Sequence, residues 1–128
     1  MTLLLDTHAL LWLAHEPAKL SEALVQAVNG NTHDIMVSAV SAMEIATKRR
    51  TGKLEYRTSL AVDFVNQVES QGFKTLAITC HHAERAGNLA SPHKDPWDRL
   101  LAAQAQIEGL TLATVDKFFG EVGVATFW

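Results

Sequence analysis

The sequence predicts an α/β fold: a mainly parallel five-stranded sheet flanked by helices. Two observations carry that expectation. Short apolar runs alternate with helical patterns along the whole chain, the signature of strands buried on both faces by crossover helices. The length of 128 residues, 48% hydrophobic and 20% charged, suits one globular domain spanning residues 1–128.

The elements follow in order. Residues 2–5 form a first strand ending at Asp6. Beyond the Pro17 turn, residues 20–28 read as a helix with Ser21 near its start and Asn29-Gly30 as its stop. Residues 35–37 make a second strand ending at Ser38, and residues 42–50 a helix closed by Gly52. Leu60, Phe64, Val65 and Val68 share a helical face over residues 60–68, which Gly72 ends. Residues 74–78 are a third, weaker strand, and Thr79 caps a short helix ending near Gly87. The clearest helix is 96–107, with Asp95 as N-cap, Pro96 at the first position and Gly109 beyond the end. Residues 110–115 give a fourth strand ending at Asp116, and residues 122–127 hold a fifth.

Composition narrows the function. The single cysteine, Cys80, allows no internal disulfide, and the six histidines show no zinc-ligand spacing. Cys80 itself reads as a core filler or a helix-start residue. The amino terminus is apolar but carries Asp6 and His8 and has no basic lead-in, so it resembles neither a signal peptide nor a membrane span. A cytoplasmic protein is expected. A formal charge of −3 argues against nucleic-acid binding through bulk charge.

The acids hold the chemical information. Asp6 and Asp116 end strands, Glu44 follows the second strand within two turns, and Asp98 sits in the first turn of the clearest helix. In a parallel sheet all carboxyl ends share one edge, where open α/β sheets bind ligands. Four carboxylates meeting there would repel one another unless a hard cation neutralised them. Oxygen ligands alone favour Mg2+, with Mn2+ as substitute. Each acid also has an ordinary explanation as a helix cap. Glu44 completes a capping box if Ser41 is the cap, but not if Ser38 is. Collectively, placement along one edge favours the metal site.

The segments LLLDTHALLW, VSAVSAMEIATKRRTGKL, HKDPWDRLLAAQA and LATVD resemble, in order and spacing, the PIN-domain family. More narrowly, they resemble the VapC-like toxin ribonucleases of type II toxin–antitoxin modules. The resemblance implies a PIN-like three-layer sandwich and an endoribonuclease that hydrolyses RNA by metal-activated water. It places the family's acidic quartet, catalytic and metal-binding, on Asp6, Glu44, Asp98 and Asp116, with Thr114 as a supporting hydroxyl. It further implies a VapB-like antitoxin partner, with an apolar groove near the first helices to receive it, and a homodimer. Helix geometry agrees on Asp98 over Asp95, whose carboxylate is engaged as the cap.

Basic residues answer the charge objection locally. Lys48, Arg49, Arg50 and Lys53 cluster on and after the helix bearing Glu44, while Lys94 and Arg99 flank Asp98 and Lys117 follows Asp116. Glu44 and Lys48 also form an ordinary i, i+4 pair. Arg99, beside Asp98, is the strongest candidate to hold phosphate. His8, His81, His82 and His93 are read as supports rather than catalysts, with His93 the one to test. Two other classes compete: a phosphoacceptor signalling domain, which needs an Asp after the third strand that this chain lacks, and a non-catalytic interaction module of the same fold.

Overall fold

The computed structural model describes residues 1–128. Five strands, β1 (Thr2–Leu5), β2 (Asp34–Ser38), β3 (Lys74–Leu76), β4 (Thr111–Ala113) and β5 (Thr126–Phe127), form one sheet in the order β3-β2-β1-β4-β5. Every pairing is parallel, so the sheet expected to be mainly parallel is wholly so. Seven α-helices accompany it: α1 (Thr7–His15), α2 (Glu22–Asn29), α3 (Ala39–Arg50), α4 (Phe64–Ser70), α5 (Cys80–Asn88), α6 (Pro96–Glu108) and α7 (Lys117–Glu121). No helix is long and apolar enough to cross a membrane.

The central strands β1, β2 and β4 bury both faces, as their apolar runs require, while the edge strands β3 and β5 are largely exposed. Leu3, Leu5, Ile35, Val37 and Ala113 point into one core with Leu10 of α1, Leu24 of α2, Ile45 of α3 and Val68 of α4. Leu4 and Leu112 alternate to the other face and meet Leu101, Ala102 and Ala105 of α6 and Phe118 and Phe119 of α7. Each fully buried leucine contributes about 1.5–3 kcal/mol of burial free energy. The order of strands reverses at β1, whose neighbours are β2 and β4. The crevice past the carboxyl ends of β1 and β4 is therefore the topological switch point.

Several boundaries differ from the sequence expectation, each for a local reason. The second helix starts at Glu22 because Ser21 Oγ caps it by accepting the Leu24 N–H (3.0 Å). The third begins at Ala39, not residue 42, because Ser38 Oγ accepts the Val40 N–H (2.9 Å). The single helix expected over 60–68 is two pieces, a 3₁₀ turn at Ser59–Ala61 and then α4, separated at Asp63 (φ −145°, ψ 46°). Strand β3 stops at Leu76, and the next carbonyl, Ala77, accepts from Gln104 Nε2. Strand β4 starts at Thr111 because the Leu110 N–H still closes α6 on Ala105 O (2.9 Å). It ends before Thr114, whose hydroxyl oxygen accepts the Asp116 N–H. Strand β5 shrinks to Thr126–Phe127 because Val122 closes α7 and Gly123 turns the chain at φ 83°. Cys80 is exposed at the start of α5, so it fills no core.

Helix α6 carries Asp98 and depends on its ends. Gly109 takes φ +65° as its C-cap, and the space around it is open. A Gly109→Ala protein should therefore lose about 1 kcal/mol through backbone strain alone, measured by urea denaturation. An unchanged midpoint would mean that this turn relaxes.

Candidate functional site

Sheet topology aligns the ends of β1, β2 and β4, and short polar turns carry the acids from there. Asp6 lies one residue beyond β1 and extends its ladder, its N–H bonding Ala113 O at 3.1 Å. Its side chain also caps α1, accepting the Ala9 N–H at 2.7 Å. Asp116 lies three residues past β4 and caps α7 through the Phe118 N–H. Glu44 sits six residues after the cap Ser38, too deep in α3 for any capping role. Asp98 occupies the first turn of α6, and Asp95 Oδ1 accepts the Trp97 N–H (2.9 Å) and, more distantly, the Asp98 N–H (3.4 Å). Capping and clustering are thus compatible: Asp6 and Asp116 cap with one oxygen each, which leaves the other to the crevice.

Asp6, Glu44, Asp98 and Asp116 line one small cavity of about 90 Å³, together with Asp95, Thr7, His8 and Lys48. That volume matches about three waters. No three Asp, Glu, His or Cys side chains converge closely enough to ligate one ion directly. Such a rim fits a small hard cation that keeps several waters and takes only one or two carboxylates. It does not fit a zinc site, which needs three or four converging protein ligands.

The electrostatics point the same way. Asp6 is 6% exposed, and burial pushes its carboxyl above the usual value, with the nearby Asp98 charge adding to the rise. The Thr114 hydroxyl and the Ala9 N–H pull it back. Since Thr114 Oγ1 already accepts the Asp116 N–H, its proton is free for Asp6. Asp98 is likewise raised, chiefly by burial and then by Asp95 and Asp116, while His93 opposes this. Two acids whose charged forms are penalised by burial and by neighbouring carboxylates make a site that gains from a cation.

Supporting contacts orient the acids. The Thr7 hydroxyl donates to Glu44 Oε1 (2.7 Å) and lies 2.9 Å from Ser41 Oγ, while Lys48 Nζ holds Glu44 Oε2 at 2.7 Å. His93 Nε2 meets Asp98 Oδ2 at 2.8 Å, with its ring stacked on Phe118 at 4.0 Å between centroids. Thr7 escaped the sequence reading, and Ser41 entered it only as a possible cap; a hydroxyl directly after Asp6, at the first position of α1, was the available signal.

Arg99, expected to hold phosphate, faces away from that task. Its guanidinium donates to five main-chain carbonyls: Ala86, Gly87, Leu89, Ser91 and His93. It organises the loop that presents His93, and so it reaches the acids only through the backbone. The remaining cluster divides: Lys48 pairs with Glu44, whereas Arg49 and Arg50 close α3 at its carboxyl end.

Comparisons with known proteins identify the fold and the family. Ribonuclease VapC22 of Mycobacterium tuberculosis is 33% identical over 119 residues, covering 91% of this chain and 88% of that protein. The structure superposes on VapBC2 from Rickettsia felis bound to a promoter DNA fragment, with a TM-score of 0.71 at 16% identity, covering 99% of this chain and 98% of that one. It superposes equally on DNA-bound VapBC from Salmonella typhimurium, with a TM-score of 0.72 at 18% identity and coverage of 99% and 97%. The PIN domain family model matches residues 3–125. That match takes in β2, β3, β4, all but the first residue of β1 and the four acids of the crevice, and the chain belongs to the PIN domain family.

Proposed function

We propose that this protein is a divalent-cation-dependent endoribonuclease, the toxin of a toxin–antitoxin pair. The observation that carries the reading is the convergence of Asp6, Glu44, Asp98 and Asp116 on one cavity at the switch point of the sheet. Its likeness to a ribonuclease, at 33% identity over nearly the full length, supplies the substrate class.

Asp6, Glu44, Asp98 and Asp116 would hold the cation, either directly or through water. Bound there, Mg2+ or Mn2+ supplies Lewis acidity toward a phosphoryl oxygen and lowers the pKa of water. The chain's own residues do the rest. Thr114 and the Ala9 N–H fix Asp6, and Thr7 and Lys48 fix Glu44, so two carboxylates are held in place before substrate arrives. Asp98, with His93 at its outer oxygen, is the group placed to accept a proton from the attacking water, and His93 Nε2 shares that proton. Water adds to phosphorus, the 3′ oxygen departs with a proton, and the product carries a 5′ phosphate.

The antitoxin belongs at a second groove beside α1. This groove of about 350 Å³ between α1 and α4 presents Leu13, His15, Ser59, Gln67 and Gln71 above the buried Leu10, Leu60, Val68 and Phe73, a mixed surface suited to an amphipathic partner segment. Structural neighbours solved as VapBC toxin–antitoxin proteins support that partner.

The test is cleavage of total cellular RNA by the purified protein. Cleavage is expected with millimolar Mg2+ or Mn2+, to stop with chelator, and to leave 5′-phosphorylated ends. Cleavage that persists in chelator, or leaves 5′-hydroxyl ends, rules out metal-assisted hydrolysis.

A further inference from the structure

A second cavity adjoins the acidic one and has the opposite character. It encloses about 210 Å³, and His8 and Lys48 line both spaces, so the two share a wall. Three lysines, Lys19, Lys48 and Lys53, line it against one glutamate, Glu55, in a protein whose net charge is −3. Lys48 is paired with Glu44 and Lys19 with Glu16, but Lys53 has no carboxylate partner. Its ammonium is the cation open to an incoming anion.

Aromatic rings complete the lining. The Trp12 ring lies 5.7 Å from His8 at 34° and edge-on to Trp128 at 5.8 Å, with Lys19 Nζ 5.5 Å from its centroid. Tyr56 donates to Glu16 and stacks on His15 at 5.0 Å. Those contacts brace the segment carrying Lys53 and Tyr56 against α1, so the pocket is preformed.

This lining selects a ligand class. An apolar peptide would leave the lysines unmatched, and a bare phosphate would leave the aromatic wall unused. A nucleotide uses both, with its base against an aromatic face and its phosphate on lysine. We infer that this pocket is a nucleotide subsite, holding one unpaired nucleotide of the substrate RNA next to the phosphate placed at the acids. The inference rests on the ribonuclease reading for its ligand, and on the shared wall at His8 and Lys48 for its place. It also gives a local answer to how an acidic protein engages a polyanion.

Two measurements test it separately from catalysis. Intrinsic tryptophan fluorescence, from Trp12, Trp97 and Trp128, is followed while an unstructured 12-nucleotide RNA is added in chelator, where no cation-dependent cleavage occurs. Saturable quenching is expected, its amplitude reduced in Trp12→Phe, with the affinity about fivefold weaker in Lys53→Gln, an exposed change that leaves the fold intact. In Mg2+, Lys53→Gln and Trp12→Leu should raise KM about five- to tenfold while kcat stays within about twofold, and Trp12→Phe should restore most of the loss by keeping an aromatic ring. Quenching without any cleavage keeps the pocket and sinks the ribonuclease reading. Cleavage with KM unchanged in Lys53→Gln, and no quenching of the wild type, overturns the pocket and leaves that reading standing.

Discussion

Replacing Asp6 with Asn is expected to abolish cation-dependent RNA cleavage and to make the metal-free protein more stable. The two effects share a cause. Asp6 is buried, its carboxyl is raised by that burial, and the charge of Asp98 adds to the cost. Asn removes the charge but keeps an oxygen for the Ala9 N–H, and it caps helices as well as Asp does. The substitution should therefore stabilise the metal-free fold by about 0.5–2 kcal/mol, the range typical where a site trades stability for activity. Cleavage should fall by at least about 10²–10³-fold, because the cation loses a charged ligand.

The pH dependence follows from the sign of the shift. A carboxyl raised in the folded state stabilises the protein below its ordinary value of 3.8 and loses that contribution as pH rises through the folded value. The advantage of Asp6→Asn over wild type should therefore be small near pH 4 and grow toward pH 8. Added Mg2+ should raise the wild-type Tm at pH 8 but leave the variant unmoved. Thermal unfolding of both proteins at the two pH values, with and without Mg2+, reads all of this. A variant less stable than wild type at pH 8 without metal would refute the proposed strain.

Arg99→Ala should cost about 3 kcal/mol or more, the largest effect on stability expected of any single site residue. The guanidinium satisfies carbonyls at five positions between Ala86 and His93, and hydrogen bonds to a charged donor contribute about 1.5–3 kcal/mol each when isolated. These five share one side chain and are not additive. Lys cannot replace it, because a single ammonium offers no planar fork to spread over a curved loop. Activity should fall as well, since the loop delivers His93 to Asp98. Urea denaturation together with hydrogen exchange of residues 86–93 separates this outcome from a direct role. An Arg99→Lys protein with wild-type stability and reduced RNA affinity would restore the phosphate-binding role expected from sequence.

Much of the fold was legible before any coordinates, and the reasons are local. Thr2–Leu5 is unbroken apolar sequence bounded by Asp6, and Asp95-Pro96 and Gly109 bracket α6 with residues that cannot sit inside a helix without cost. The failures were local as well. Leu110 looks like strand yet completes a helix, and Val122 looks like strand yet ends one. Apolar character alone does not distinguish the two uses of a valine or leucine.

The site divides in the same manner. Sequence alone determined the residue types, their order, and the placement of acids after strands, because a parallel sheet must gather its carboxyl ends on one edge. It could therefore nominate Asp6, Glu44, Asp98 and Asp116. Only the tertiary structure decided what each neighbour does. Arg99 and Lys48 read alike as cations near acids, yet one turns to main-chain carbonyls and the other to Glu44. The partner of a charged side chain is set by which segments the fold brings within a few ångströms of it, and neither residue's own sequence neighbourhood encodes the loop at 86–93 or the second cavity beside Trp12.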